Sequence, residues 1–147
     1  MLIGEYTSQI TSGNRTALPK KFRESMGDKL ILSRGYEGCL ILVSLENWLT
    51  MVKDVAEGPF VSSAVRDTSR FLLGGAHEIQ TDAQGRFVIP ASLVTYAQIR
   101  DDLVFLGLGR WVEVWEMSNW REREKYLGEE GSKIAETLSQ LRLQEEK

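Results

Sequence analysis

The chain has 147 residues, with 18 Lys and Arg against 21 Asp and Glu and a formal charge of −3. This length suits one compact body or two small units sharing a core, and the charge excludes a uniformly basic coat, so any nucleic-acid contact must be a local patch. One cysteine and one histidine exclude an internal disulfide framework and a cysteine-built metal site, and no metal or cofactor is expected.

Met1-Leu2-Ile3-Gly4-Glu5 lacks the basic and apolar regions of a secretory signal. No run approaches the roughly 20 apolar residues that span a bilayer, so a cytoplasmic location with no membrane partner is expected. A first strand leads into the turn Thr11-Ser12-Gly13-Asn14-Arg15, where Thr11 and Gly13 are the turn-forming residues. Thr16-Ala17-Leu18 reads as a short strand, and Pro19 suits the first turn of a helix that carries Lys20, Lys21, Arg23 and Glu24. The apolar runs Leu30-Ile31-Leu32-Ser33 and Cys39 to Val43 read as strands joined by the turn Arg34 to Gly38. Cys39 is expected as a buried, inert thiol. Ser44 stands where an N-cap is wanted. Leu45, Trp48, Leu49, Val52 and Val55 then follow one helical face until Gly58-Pro59. A second helix places Val61, Ala64, Val65, Thr68, Phe71 and Leu72 on one side before Gly74-Gly75 stops it.

From there the chain repeats itself. Gly85-Arg86-Phe87-Val88-Ile89-Pro90 matches Asn14-Arg15-Thr16-Ala17-Leu18-Pro19, so both Arg and Pro recur 71 residues on. Leu103 to Leu106, the glycine-bearing turn Gly107-Leu108-Gly109-Arg110 and Trp111 to Trp115 follow in the same order, and Asn47-Trp48 returns as Asn119-Trp120. Ser118 is the expected N-cap of the last segment. A final helix beyond Gly128 would carry Ile134, Leu138 and Leu141 on one stripe and end in the solvated tail Glu145-Glu146-Lys147. The expected organisation is a first repeat at 5–47, a helical linker at 48–75, a second repeat at 76–119 and a helical tail at 120–147. The fold class is α+β, mainly β with short helices. A unit of about 45 residues buries too little surface to stand alone, so the two repeats should pair around one barrel-like core.

Catalytic constellations are poor. His77 opens a predicted strand with no nucleophile motif nearby and reads as structural. Asp101-Asp102 reads as a polar turn, and Gly107-Leu108-Gly109 lacks the third glycine of a dinucleotide loop. No enzyme and no small-molecule substrate are expected. In Asp82-Ala83-Gln84-Gly85-Arg86 the Asp and Gly suit a tight turn, and the residues leave two readings of Arg86 open: a structural Asp–Arg pair or a DNA contact. Arg15, followed by Lys20, Lys21 and Arg23, heads a basic cluster suited to phosphates. Arg can also read guanine in a major groove that admits a two-stranded ribbon. Trp48 and Trp120 head matched helices and suit core packing, whereas Trp111, Trp115 and Phe71 are candidates for a subunit interface.

Asp82-x-x-Gly85-Arg86-x-x-x-Pro90 together with Arg15-x-x-x-Pro19 resembles the MraZ family of bacterial regulators and the wider group of AbrB- and SpoVT-like swapped-hairpin domains. The resemblance covers nearly the whole chain. It implies two tandem swapped-hairpin units, ring-shaped homo-oligomers and nucleoid association. It also implies binding to direct repeats in double-stranded promoter DNA, with repression of the division and cell-wall gene cluster that includes the member's own gene. By the same resemblance Arg15 is a main DNA contact and Arg86 its counterpart. The sequence departs from the family where Thr11 replaces the usual Asp and Gly13-Asn14 the usual Lys-Gly, which removes one positive charge. The alternative is an antitoxin-like module that occupies a protein partner.

Overall fold

The computed structural model describes residues 1–146; Lys147, the last residue of the expected tail, lies outside them. Met1–Glu116 forms one compact body, and the segment from Met117 onward is a second unit.

The body begins with β1 (Leu2–Gln9), β2 (Arg15–Ala17), α1 (Lys20–Met26), β3 (Leu30–Arg34), a single 3-10 turn at Tyr36–Gly38, and β4 (Leu40–Ser44). The linker holds α2 (Leu45–Met51), α3 (Lys53–Ala56) and α4 (Ser63–Leu72). The second half then runs β5 (His77–Ile79), β6 (Arg86–Val88), α5 (Ala91–Tyr96), β7 (Asp102–Gly109) and β8 (Val112–Glu116). The strand, turn, strand, helix, strand, strand order thus occurs twice, in a mixed α and β fold dominated by one antiparallel sheet of six strands.

Its strand order is β1-β7-β8-β4-β3-β5. The two halves therefore exchange their hairpins. β1 pairs along its whole length with β7 of the second half, from Leu2 opposite Gly109 to Gln9 opposite Asp102, and β5 pairs with β3 of the first. The close approach of β1 explains Gly107, where a Cβ would lie 2.5 Å from the Ile3 nitrogen. β2 and β6 form a separate two-stranded ribbon.

Exchange gives both halves one core: Leu18, Phe22, Leu30, Leu32 and Leu42 pack with Ile79, Phe87, Ile89, Leu93 and Phe105. Successive residues of a strand face opposite sides, so Leu30 and Leu32 enter this core while Ile31 enters a smaller cluster with Ile41, Val43, Trp48 and Val52. Coverage on both faces accounts for the unbroken apolar runs of β3 and β4. The 3-10 turn is tied across the halves as well, with Tyr96 Oη donating to the Gly35 carbonyl at 2.7 Å.

Several local expectations shift. Pro19 and Pro90 are the N-cap residues of α1 and α5, one place before the first helical turn, with extended ψ of 135° and 141°. Each ends the ribbon and starts a helix without an N–H to satisfy. Ser44 caps α2 by accepting from the Asn47 N–H at 3.2 Å. Ser118 lies inside the last helix, α6 (Met117–Glu145), which starts one residue before it. That helix runs unbroken through Gly128 rather than starting beyond it. Leu49 and Val61 are exposed: α2 turns Leu45 and Trp48 toward the sheet, and Val61 precedes α4. Gly107 to Gly109 belongs to β7, so the turn narrows to Arg110-Trp111.

Of the three candidate interface aromatics, Trp115 is withdrawn from the surface, whereas Phe71 and Trp111 are half-buried. Trp115 is buried and its Nε1 donates to Glu113 at 2.9 Å, while Phe71 stacks on Tyr36 with ring centroids 5.3 Å apart. Cys39 is fully buried, and burial pushes its thiol well above the ordinary range, as expected of an inert cysteine.

Candidate nucleic-acid interface

The ribbon β2–β6 is short and two-sided. Arg15 lies opposite Val88, Thr16 opposite Phe87, and Ala17 opposite Arg86. Thr16 and Phe87 turn inward, each 3% exposed, and burial of a Phe of this kind is worth roughly 1.5–3 kcal/mol. The opposite face consists of Arg15, Ala17, Arg86 and Val88. Beyond the strands, Leu18 N–H donates to the Gly85 carbonyl at 2.9 Å and Ile89 N–H to the Asn14 carbonyl at 2.8 Å. Each strand end is thereby stitched to the other half's loop.

The two arginines are diagonal neighbours, for which Cα atoms lie about 7–8 Å apart. They line one open concavity with Ser8, Gln9, Thr11, Ser12, Thr16 and Ala17.

Their loops make the same bend with different chemistry. In both, the first residue's N–H donates to the arginine carbonyl: Thr11 to Arg15 at 2.8 Å and Asp82 to Arg86 at 3.0 Å. Asp82 Oδ1 accepts from the Gln84 and Arg86 N–H groups, each at 2.9 Å, and its Oδ2 accepts from Arg86 Nε at 2.7 Å. The Arg86 N–H, more than any other group, holds this carboxyl below its ordinary value of 3.8. Gly85 N–H closes on the Asp82 carbonyl at 2.9 Å, and Gly85 itself has φ +79°, which only glycine adopts freely.

Thr11 reverses the polarity. Its Oγ1 donates to the Arg15 carbonyl at 3.1 Å, and two consecutive residues, Gly13 and Asn14, take φ of 80° and 58°. No side chain accepts from Arg15 as Asp82 does from Arg86. Among the described residues its guanidinium has no hydrogen-bond or ion-pair partner.

Along α1, Arg23 and Lys20 take partners of their own. Arg23 crosses to the second loop, donating through Nη1 to the Ala83 carbonyl at 3.2 Å. A Cβ on Gly85 would stand 2.4 Å from Arg23 Cδ. Lys20 is drawn toward Glu24 at 3.9 Å, an exposed pair one helical turn apart. Lys21 is exposed on α1. The ribbon brings together Arg15 and Arg86, 71 positions apart. Val88 belongs to the same face, and its alternation with Phe87 and Ile89 was the sequence signal that could have found it.

A family model described as "MraZ protein, putative antitoxin-like" matches the chain twice, at residues 1–71 and 72–142. The chain belongs to the MraZ family. The proteins named "Transcriptional regulator MraZ" from Acetivibrio thermocellus and Clostridium tetani are 38% and 36% identical to it, over 144 and 141 residues. Each comparison covers 96% of this chain and 99% of the relative. The MraZ protein of a Thermoanaerobacter species is 36% identical across 97% of the chain and 100% of its own length. The two MraZ matches are offset by the distance that separates Arg15 from Arg86. Among the described residues no cluster of His, Cys, Asp and Glu could hold a metal ion, and no helix is long and apolar enough to cross a membrane.

Proposed function

We propose that this MraZ chain is a transcriptional regulator that binds double-stranded promoter DNA through the outer face of the β2–β6 ribbon. The observation that carries the reading is the unpartnered Arg15 guanidinium, held on a rigid ribbon whose inner face is anchored by Phe87. A two-stranded ribbon fits the major groove, where Arg forms a bidentate pair with guanine O6 and N7. Arg86, drawn to Asp82, suits a positioning contact with phosphate, and Lys20 and Lys21 on the following helix add backbone contacts. Arg23 supports the second loop from above.

Through its MraZ membership the proposed target is the division and cell-wall gene cluster including its own gene, with repression as the outcome. The proposed active form is a ring-shaped homo-oligomer, associated with the nucleoid, on direct repeats. One acidic subunit with a small basic face should bind one site weakly and with a modest salt slope. A ring makes the second contact effectively intramolecular, and subunits related by rotation in one sense favour direct repeats over a palindrome.

The test is a titration, at one salt concentration, of duplexes carrying one repeat, two repeats about 10 bp apart, and two repeats shifted by half a helical turn. Tighter binding to the phased pair alone is expected. Equal affinity for all three would end the multivalent mechanism. A second reading, an antitoxin-like module that grips a protein partner, draws on the wording of the matched family model; it predicts no sequence preference on DNA.

A further inference from the structure

On the arginine-bearing face one residue is apolar and half exposed: Val88, at 48%. Its exposure is not fraying, because its strand neighbours Phe87 and Ile89 are 3% and 0% exposed. The β-branched side chain is stiff at χ1 and projects in a fixed direction. It stands opposite Arg15 in the ribbon register, where Cβ atoms lie about 4.5–5.5 Å apart. DNA bases rise by about 3.4 Å per step along a strand, so two side chains at that separation fall on neighbouring base pairs.

We propose that Val88 is a specificity-determining residue that packs against the 5-methyl group of a thymine in the base pair next to the guanine read by Arg15. This rests on the DNA-binding reading above and goes beyond it by naming the second base. The thymine methyl is the one apolar feature of the major-groove edge, and small apolar side chains recognise it. The pseudo-equivalent position opposite Arg86 holds Ala17, a shorter side chain beside an arginine already held by Asp82. The ribbon face is thus chemically one-handed: Arg15 with Val88 at one end, Arg86 with Ala17 at the other. It reads a directional base step rather than a symmetric one.

The probe is a duplex enriched from a random pool by the wild-type protein. Each thymine is replaced singly by deoxyuridine, which removes only the methyl, and affinities are measured for wild type, Val88→Ala and Val88→Thr. One thymine is expected at which methyl removal weakens wild-type binding about fourfold, the worth of one buried CH₂-sized group. That loss disappears in Val88→Ala, which binds the parent duplex more weakly by the same factor. Val88→Thr keeps the branched strand-forming shape and retains the methyl dependence, so a folding defect in the alanine variant would not mimic the result. If every deoxyuridine effect is the same in Val88→Ala as in wild type, the assignment of Val88 is wrong while DNA reading by Arg15 stands. If no duplex is enriched from the pool, the DNA reading falls and Val88 with it.

Discussion

The loops at 11–15 and 82–86 occupy equivalent places and make the same main-chain bond, yet they hold their arginines in opposite states. Asp82 accepts two backbone N–H groups and the side chain of Arg86. The Thr11 side chain only donates, to a carbonyl, and leaves the Arg15 head free. On the proposed reading the duplicated hairpin divides its labour, with one loop serving turn stability and the other an available charge. A threonine and an aspartate, similar in size, decide which is which.

The largest effect expected from breaking this division is charge reversal at the free arginine. Arg15→Glu should cost specific DNA binding more than about 3 kcal/mol, since it removes a bidentate pair and sets a carboxylate against phosphates. Its melting temperature should barely move, because no internal bond is lost. Arg86→Glu should instead lower the melting temperature, having placed two carboxylates side by side at Asp82. Thermal melts and gel titrations of both variants check the contrast.

Asp82→Ala sharpens the comparison from the other side. Three hydrogen bonds vanish and Arg86 is released, so the melting temperature should fall by a few degrees while non-specific DNA affinity at low salt rises. The stability difference should depend on pH with a definite sign. The folded-state carboxyl lies below its ordinary value, so its stabilisation is present above the unfolded carboxylate range and is lost as pH falls through the folded value. Melting temperatures of wild type and Asp82→Ala should therefore converge in strong acid. A gap that stays constant with pH would mean the carboxylate charge is irrelevant to the turn.

The smallest expected change is Thr11→Asp, which imports the second loop's acceptor into the first. The fold should tolerate it, with a slight gain in melting temperature. Specific DNA affinity should drop modestly, because the new carboxylate pairs with Arg15. An unchanged affinity would show that pairing within the loop does not govern the arginine's availability.

Much of this was legible in the sequence. The spacing of Arg15 and Pro19 to Arg86 and Pro90 gave the duplicated order of elements, and the unbroken runs in β3 and β4 followed from a sheet covered on both faces. Thr11 stood out as a turn-forming departure from the usual Asp, and its hydroxyl bonds the Arg15 carbonyl within the turn. The reach of Arg23 was not legible, because nothing around it in the sequence signals a partner 60 positions away. Hairpin exchange places α1 of the first half over the loop of the second, so Arg23 serves Gly85 and Ala83. The length of α6 was not legible because Gly128 resembles a helix boundary, yet it does not take a positive φ. Val88 was passed over since a valine in a strand ordinarily signals core, and only the register shows it facing outward beside an arginine.

The central claim, that the two equivalent arginines serve DNA unequally because their loops hold them differently, is tested most directly by neutral truncation. Wild type, Arg15→Ala and Arg86→Ala are titrated on one promoter duplex at one salt concentration, each protein first shown to melt cooperatively. The account predicts that Arg15→Ala weakens specific binding by about 1–3 kcal/mol and Arg86→Ala by clearly less. Equal losses from two folded variants would contradict it.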